Sequence, residues 1–454
     1  MLEDIIKERR KKLDELRTAG VNPYPSGSLR RIFVADALRD FVKLQKLKKS
    51  VGISGRVVGL RNQGNILFVD VEDGTGKIQA LLKKDELRNF ALVKRTLDIG
   101  DFAYASGALL KTKKGEKSLS AKKFEILTKS LRPLPSEWYG LKDVEERYRK
   151  RYLDLILNKE SREKLTARSQ VIADIRKFLD KEGFMEVETP VLQELPGGAK
   201  ARPFVTHHNA LDQDFYLRIA PELFLKRLLV GGFEKIFEMG RVFRNEGIDR
   251  DHNPEFTMLE LYWAYQDWEG LMSFTEKMLK PHLSKKYGAK KWPRITYADA
   301  FKKFANKKIV PELVEGLPTI DDIFKHDVRP HIKEPTFVTH YPKSISPLAK
   351  SDPDNSTLTE RFQLVVDGTE LVNGFSELND PIDQRERMEE QERRFRAGNV
   401  EEPRVDHDFL EALEYGMPPA AGLGIGIDRL AALVMGSHHL KEVILFPTLR
   451  SKDK

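Results

Sequence analysis

The chain contains no cysteine. Disulfides, thiolate nucleophiles and cysteine-ligated zinc are therefore excluded, and any metal must sit on oxygen or imidazole ligands. No apolar run approaches the roughly 18 to 20 residues needed to span a bilayer, so no membrane partner is expected. The opening stretch MLEDIIKERRKKLDELRTAG lacks the apolar core of a signal peptide, and its acids argue against a mitochondrial presequence. The expectation is a cytoplasmic protein. A Walker loop and βαβ spacing are also missing, which argues against a parallel nucleotide-binding sheet, and no internal repeat of fixed period is found.

What is present is enough apolar residue to fold. At 454 residues and 40% hydrophobic, the chain can bury a sizeable core, with two domains expected. Lys and Arg total 78 against 70 Asp and Glu, for a net charge of +8 and a pI near 9.2. That excess is compatible with a polyanionic partner without requiring one.

Residues 2–19 space Leu2, Ile5, Ile6, Leu13 and Leu16 among charges, which predicts an amphipathic helix ending at Gly20. It is either a solvated helix packed on its neighbour or a basic arm for an RNA backbone. From Val51 to about Thr128 the texture changes to short β segments, ISGRVVGLR, NILFVDVED, GKIQALL, DFAYASGALL and SLSAKKFEIL, separated by turns. Five strands in so short a span predict a small closed barrel, of which the OB-fold is the commonest kind. Pro133 and Pro135 then break regular structure. The rest alternates helices with strands of antiparallel character, so the fold class expected is α+β. The expected divisions are a helical extension over 1–50, the barrel over 51–130, a linker over 131–165 and a catalytic domain over 166–454.

Three segments carry chemistry. In GRVFRNEGIDRDHNPEFTMLELYWAY, strand parity places Phe256, Met258, Glu260 and Tyr262 on one face and Thr257, Leu259, Leu261 and Trp263 on the other. One face is packed, and the other lines a site. Arg244 opens the loop between the strands, where a planar guanidinium can grip anions and His252 can add a donor; the plain alternative is an Arg244–Glu246 pair within the hairpin. In RFQLVVDGTELVNGFSELND, Asp367-Gly368 signals a two-residue hairpin. Asn373, Phe375 and Glu377 share one face, whereas Glu370 has the opposite parity, so one cavity can receive all four only if the strand bulges near Val372. In AAGLGIGIDRLAALVMG, glycines 422, 424 and 426 strip one face of a strand, so that a flat ring could lie against backbone. Tight packing is the other reading of those glycines. Asp428 can cap the helix that follows, with Arg429 in its first turn.

These blocks resemble the class II aminoacyl-tRNA synthetases, and within them the lysyl enzymes with an N-terminal OB domain. FLDKEGFMEVETPVL is similar to the family's motif 1, a large part of its dimer interface. FRNEGIDRDHNPEFTMLE resembles motif 2, and GLGIGIDR motif 3. PGGAKARPF, YLRIAPELFLKRLLVGGFEKIFE and NGFSELNDP match the lysine-specific members. The resemblance covers nearly the whole chain.

What it implies is a homodimer with an antiparallel catalytic sheet flanked by helices, acting on ATP, L-lysine and tRNA(Lys). Arg244, Glu370 and Arg429 would be catalytic. Arg244 would hold the α-phosphate and the substrate carboxylate, while His252 and Arg429 would hold the β- and γ-phosphates. Phe256 would stack on adenine against Arg429, with Glu246 in the same ATP-binding loop. Glu370 would carry Mg2+. Where many relatives have a second metal-binding glutamate, this chain has Gln363, which the hairpin register puts on the same face as Glu370. Glu222 would take the α-amino group, or simply favour a helix N-terminus by its charge. Glu377 and Tyr262 would take the ε-ammonium, Asn373 and Phe375 would shape the side-chain channel, and Glu260 and Gly198 would complete the frame. In the barrel, Arg56, Phe68 and Gln79 lie on strands similar to the anticodon readers, where an aromatic ring stacks on a base; Phe68 as barrel core is the alternative. Rival readings are an aspartyl or asparaginyl enzyme, which Glu377 opposes; a paralogue that lysylates protein, which the barrel opposes; and a silent RNA-binding protein, which Arg244, Glu370 and Arg429 oppose.

Overall fold

A computed structural model describes residues 2–27, 32–135, 143–288, 290–305, 319–399 and 401–452. The chain divides into two compact units, Met1–Lys142 and Asp143–Lys454.

The first unit is built around five strands, β1 (Ser50–Gln63), β2 (Ile66–Asp73), β3 (Gly76–Lys83), β4 (Phe102–Lys111) and β5 (Lys117–Thr128). They close into a barrel in the order β1-β2-β3-β5-β4, as the strand pattern predicts. Alternation fills it: Leu67, Val69 and Val71 point in, with Ile78, Ala80 and Leu82 beside them. The N-terminal helix, Leu2–Thr18, adds Leu16 to this core. Its buried Arg9 donates to the carbonyls of Ile99, Ser130 and Arg132, so that cation is engaged within the unit.

The second unit contains β6 (Met185–Glu186), β7 (Leu192–Gln193), β8 (Val205–His208), β9 (Gln213–Leu217), β10 (Lys235–Phe243), β11 (Glu255–Ala264), β12 (Arg294–Thr296), β13 (Thr336–Thr339), β14 (Arg361–Val366), β15 (Thr369–Ser376) and β16 (Ala420–Gly426). Eight of them form one sheet in the order β12-β13-β14-β15-β16-β11-β10-β6, and β7-β9-β8 form a small second sheet. Only the outermost pairs of the large sheet, β12–β13 and β10–β6, are parallel. The stretch 131–165, read from the sequence as a linker, is helical from Val144 onward and from Asp143 belongs to this unit.

The sheet has two faces of different character. Leu259, Leu261, Leu423, Ile425, Leu364 and Val372 pack against the helices Lys159–Lys181, Trp268–Tyr287 and Ile427–Met435. Removing that apolar area from water is the main stabilising term. The other face, carrying Glu260 and Tyr262, is the one left for chemistry.

Candidate active site

Register brings the charged residues together on that open face. Met258, Glu260 and Tyr262 stand opposite Gly426, Gly424 and Gly422. From the other side of β16, Asn373 and Phe375 stand opposite Gly424 and Gly422. Two rows of side chains thus face each other across a nearly bare strand. Asp367 and Gly368 both have positive φ, 50° and 74°, and make the tight hairpin between β14 and β15. Beyond the turn, Val365 pairs with Glu370 but Leu364 pairs with Val372, leaving Leu371 as an extra residue. This is the bulge that the sequence demanded near Val372. It puts Glu370 on the same face as Asn373, Phe375 and Gln363.

One end of the site is acidic and buried. The helix Glu222–Val230 begins after Pro221 and turns Glu222 and Lys226 inward. Glu222 is 7% exposed, Glu260 5%, Tyr262 3%, Glu377 1% and Lys226 0%. Lys226 Nζ lies 2.7 Å from Glu222 Oε1 and 2.6 Å from Glu377 Oε2. The second contact is off-axis, so neither buried Glu377 oxygen has a directed hydrogen-bond partner among the described residues. The Tyr262 hydroxyl donates to Glu260 Oε2 at 3.0 Å. Burial, with the Glu222 charge adding to it, pushes the Glu260 carboxyl up to about 8, against Tyr262, Arg244 and Lys226. Burial also pushes Glu377 up to about 8, against the Lys226 ammonium.

Two glycines make this pocket possible. Gly198 has φ +82°, and a Cβ there would meet Glu222 Cβ at 2.9 Å. At Gly422 a Cβ would stand 2.4 Å from Glu377 Oε1 and 2.5 Å from the Tyr262 ring. The space above Gly422 therefore belongs to those side chains, and only the floor at Gly424, with its nearest atom at 3.8 Å, stays open for a flat ring.

The other end is cationic. Arg244 follows β10 directly, its amide anchored on the Pro254 carbonyl at 2.8 Å. Its Nε is buried without a partner among the described residues, and its guanidinium carbon lies 5.1 Å from the Phe256 ring centroid. Burial lowers the Arg244 pKa; Arg429 adds to this, while Glu246, Glu260 and Glu370 oppose it. Arg244 therefore stands in the field of both ends of the site. Arg429 Nη1 donates to the Glu370 carbonyl at 3.1 Å. The Glu370 carboxylate is about a quarter exposed and lies 3.6 Å from Arg329 Nη1. Gln363 is buried, and its carboxamide oxygen accepts from the Tyr341 hydroxyl at 2.9 Å. His252 and Glu246 are exposed in the loop between β10 and β11, and His252 Nδ1 lies 2.9 Å from Asp249 Oδ2.

Against this geometry the comparisons are decisive. Residues 143–450 match the family model of the class II tRNA synthetases (D, K and N), and residues 51–127 match that of the OB-fold nucleic acid binding domain. The chain belongs to the class II tRNA synthetases. It is 45% identical to the lysine–tRNA ligase of Pelotomaculum thermopropionicum over the whole of this chain and 96% of the relative. The corresponding enzymes of Chloroflexus aurantiacus and Carboxydothermus hydrogenoformans are 45% and 46% identical, over this whole chain and 99% of each relative.

In this synthetase three functional neighbours escaped sequence reasoning. Lys226 follows Glu222 by four residues, the spacing of an ordinary surface pair, and nothing in ELFLKR marks it as buried. Arg361 donates from Nε to Asn373 Oδ1 at 2.9 Å, fixing the orientation of that amide. Asp428 does not cap its helix; Gly426 is the N-cap and no side-chain cap bond forms. Instead Asp428, 2% exposed, accepts from Arg168 Nη2 at 2.6 Å and from the Thr257 amide at 3.0 Å, joining three segments.

The barrel of the synthetase carries Arg56, Phe68 and Gln79 on one outer face, as the registers Arg56↔Glu72 and Asp70↔Gln79 require. Phe68 is half-buried, with the Arg61 guanidinium carbon 5.9 Å from its ring centroid; the core positions are its neighbours Leu67 and Val69. Arg56 packs over Phe102 and donates to the Gly100 carbonyl. Gln79 is buried, accepting from Ser118 and donating to Glu116.

Proposed function

We propose that this synthetase is a lysine–tRNA ligase: it joins L-lysine and ATP into lysyl-adenylate with release of pyrophosphate, then passes lysine to the terminal adenosine of tRNA(Lys). The observation that carries the reading is the presence in one site of the buried carboxylates Glu222, Glu260 and Glu377 and of a guanidinium Nε, that of Arg244, without a partner among the described residues. A substrate with two ammonium groups and one carboxylate matches both.

Arg244 would hold the substrate carboxylate against the α-phosphate. A carboxylate oxygen then attacks the α-phosphorus, the α–β anhydride breaks and pyrophosphate leaves. No protein side chain needs to be the nucleophile, so catalysis rests on orientation and on charge stabilisation. His252 and Arg429 would hold the outer phosphates, and Phe256 would stack on the adenine, with Glu246 in the same loop. In the second step a hydroxyl of the terminal adenosine attacks the acyl carbon and AMP leaves.

No cluster of three or more metal-ligating side chains forms among the described residues. A lone, partly exposed carboxylate at Glu370 nevertheless fits Mg2+, which takes one or two protein oxygens and completes its shell with phosphates and water. When bound there, Mg2+ would neutralise phosphate charge; Gln363, its oxygen already engaged by Tyr341, offers one charge fewer than a second glutamate.

Glu222 would receive the α-amino group, and Glu377 and Tyr262 the ε-ammonium, with Gly198, Glu260, Asn373 and Phe375 shaping the channel. The outer face of the barrel at Arg56 and Phe68 would meet the anticodon, and Gln79 would join them by exchanging its bonds to Ser118 and Glu116 for a base edge. Met185, Val191, Leu192 and Val205 expose apolar surface beside motif 1, which supports a homodimer. A cytoplasmic location suits these substrates; among the described residues no helix is long and apolar enough to cross a membrane. The test is ATP–pyrophosphate exchange with lysine, aspartate and asparagine in turn. Exchange with lysine alone is expected; exchange with aspartate or asparagine refutes the specificity assigned to Glu377.

A further inference from the structure

The acidic pocket contains a cation to which none of these roles gives a task. Lys226 is fully buried, its ammonium held between Glu222 and Glu377 and lying 5.3 Å from the Phe375 ring centroid. The remaining charged or titratable groups that face it are Glu260 and Tyr262 of β11, with Arg244 beyond Glu260. A lysine of this length normally extends its charge to water. Here burial works against the ammonium, but Glu222 and Glu377 outweigh it and keep the group charged.

Its consequence follows from counting charge. Once fully ionised, three carboxylates against one ammonium leave two negative charges, and among the described residues no other cation lies within hydrogen-bonding reach of them. Lys226 also holds down the pKa values of Glu260 and Glu377, which burial has already raised, so without it both would keep their protons to higher pH. We propose that Lys226 is a positioning residue that sets the charge of the pocket: it fixes the Glu222 and Glu377 carboxylates and cancels one of three negative charges, leaving room for two ammonium groups. This rests on the lysine-activating reading and deepens it. Free lysine supplies the two ammonium groups, and its carboxylate is matched separately by Arg244. A substrate with a neutral side chain would leave Glu377 buried and unpaired.

The experiment is lysine-dependent ATP–pyrophosphate exchange by the full chain carrying Lys226→Met or Lys226→Gln, with KM for lysine and for ATP measured across pH. Near pH 7 the Lys226→Met variant is expected to raise KM for lysine by about tenfold or more, the equivalent of one pKa unit on a pocket carboxylate. The loss should shrink as pH rises and the carboxylates ionise, while KM for ATP moves by no more than about twofold. The Lys226→Gln variant keeps hydrogen-bond donors at similar reach without the charge; it should show the same pH-dependent loss, and it carries the test if the methionine variant does not fold. An unchanged KM for lysine, or a loss that is the same at every pH, overturns the proposal. If the parent enzyme shows no lysine-dependent exchange, the underlying reading fails, a result distinct from normal exchange that is insensitive to Lys226.

Discussion

Lysine capture should be steeply pH-dependent over a range where ATP capture is not. Glu260 and Glu377 both have carboxyl pKa values pushed up to about 8 by burial. At neutral pH the empty pocket therefore retains protons that an arriving ammonium must displace. The sign is fixed by which form binds: the ionised acids attract lysine, so affinity is greatest above about pH 8 and is lost as pH falls below it. If one proton must leave, KM for lysine rises about 25-fold between pH 8.5 and 6.5, close to 2 kcal/mol of binding energy. If both acids must ionise, the rise is steeper. As pH rises past about 8 the substrate's α-ammonium group itself begins to lose charge, which closes the window from the other side. The assay is initial-rate exchange at saturating ATP from pH 6.5 to 8.5, paired with calorimetry in buffers of different ionisation enthalpy to count protons released on lysine binding. A KM for lysine that stays flat over that range, with no proton release, would refute the argument that these carboxylates are both dry and required.

Arg244→Ala removes the group proposed to hold the substrate carboxylate against the α-phosphate and should lower kcat/KM by about 100- to 1,000-fold, or roughly 3 to 4 kcal/mol, read in single-turnover adenylate formation. Gly422→Ala drives a methyl into Glu377 Oε1 and the Tyr262 ring at 2.4 and 2.5 Å. It should raise KM for lysine far more than KM for ATP, and equal effects on both would count against the pocket geometry. Asp428→Ala leaves Arg168 without its acid in a largely buried position, and such a break costs about 3 to 5 kcal/mol. Thermal unfolding should show a fall in Tm of several degrees, and an unchanged Tm would mean that the network adds nothing.

The parts of this site that could be read in the sequence are those governed by strand parity. Glu260 and Tyr262 share a face because they are two apart, and the demand for a bulge came from the odd spacing between Glu370 and Asn373. The Asp367-Gly368 turn was legible because few other pairs accept positive φ at both positions. What stayed hidden depends on partners far away in the chain. Lys226 carries no local sign that Glu377 would close over it. Asp428 occupies the position of an N-terminal acid, but Arg168 and Thr257 claim both of its oxygens. Gly422 looked like open floor because a strand pattern does not show what leans across it. Likewise, periodicity placed Gln79 on a barrel strand but could not foresee that Ser118 and Glu116 would engage its carboxamide.

The bond between Arg168 and Asp428 has a mechanical meaning. The long helix that holds Arg168 leads through its turn into Met185, the start of an apolar edge turned outward, while the neighbour of Asp428 is the arginine assigned to the outer phosphates. The bond ties the helix that leads to that edge directly to the first turn of the helix that carries Arg429. Removing either partner would free that first turn from the long helix, so each helix holds the other in register.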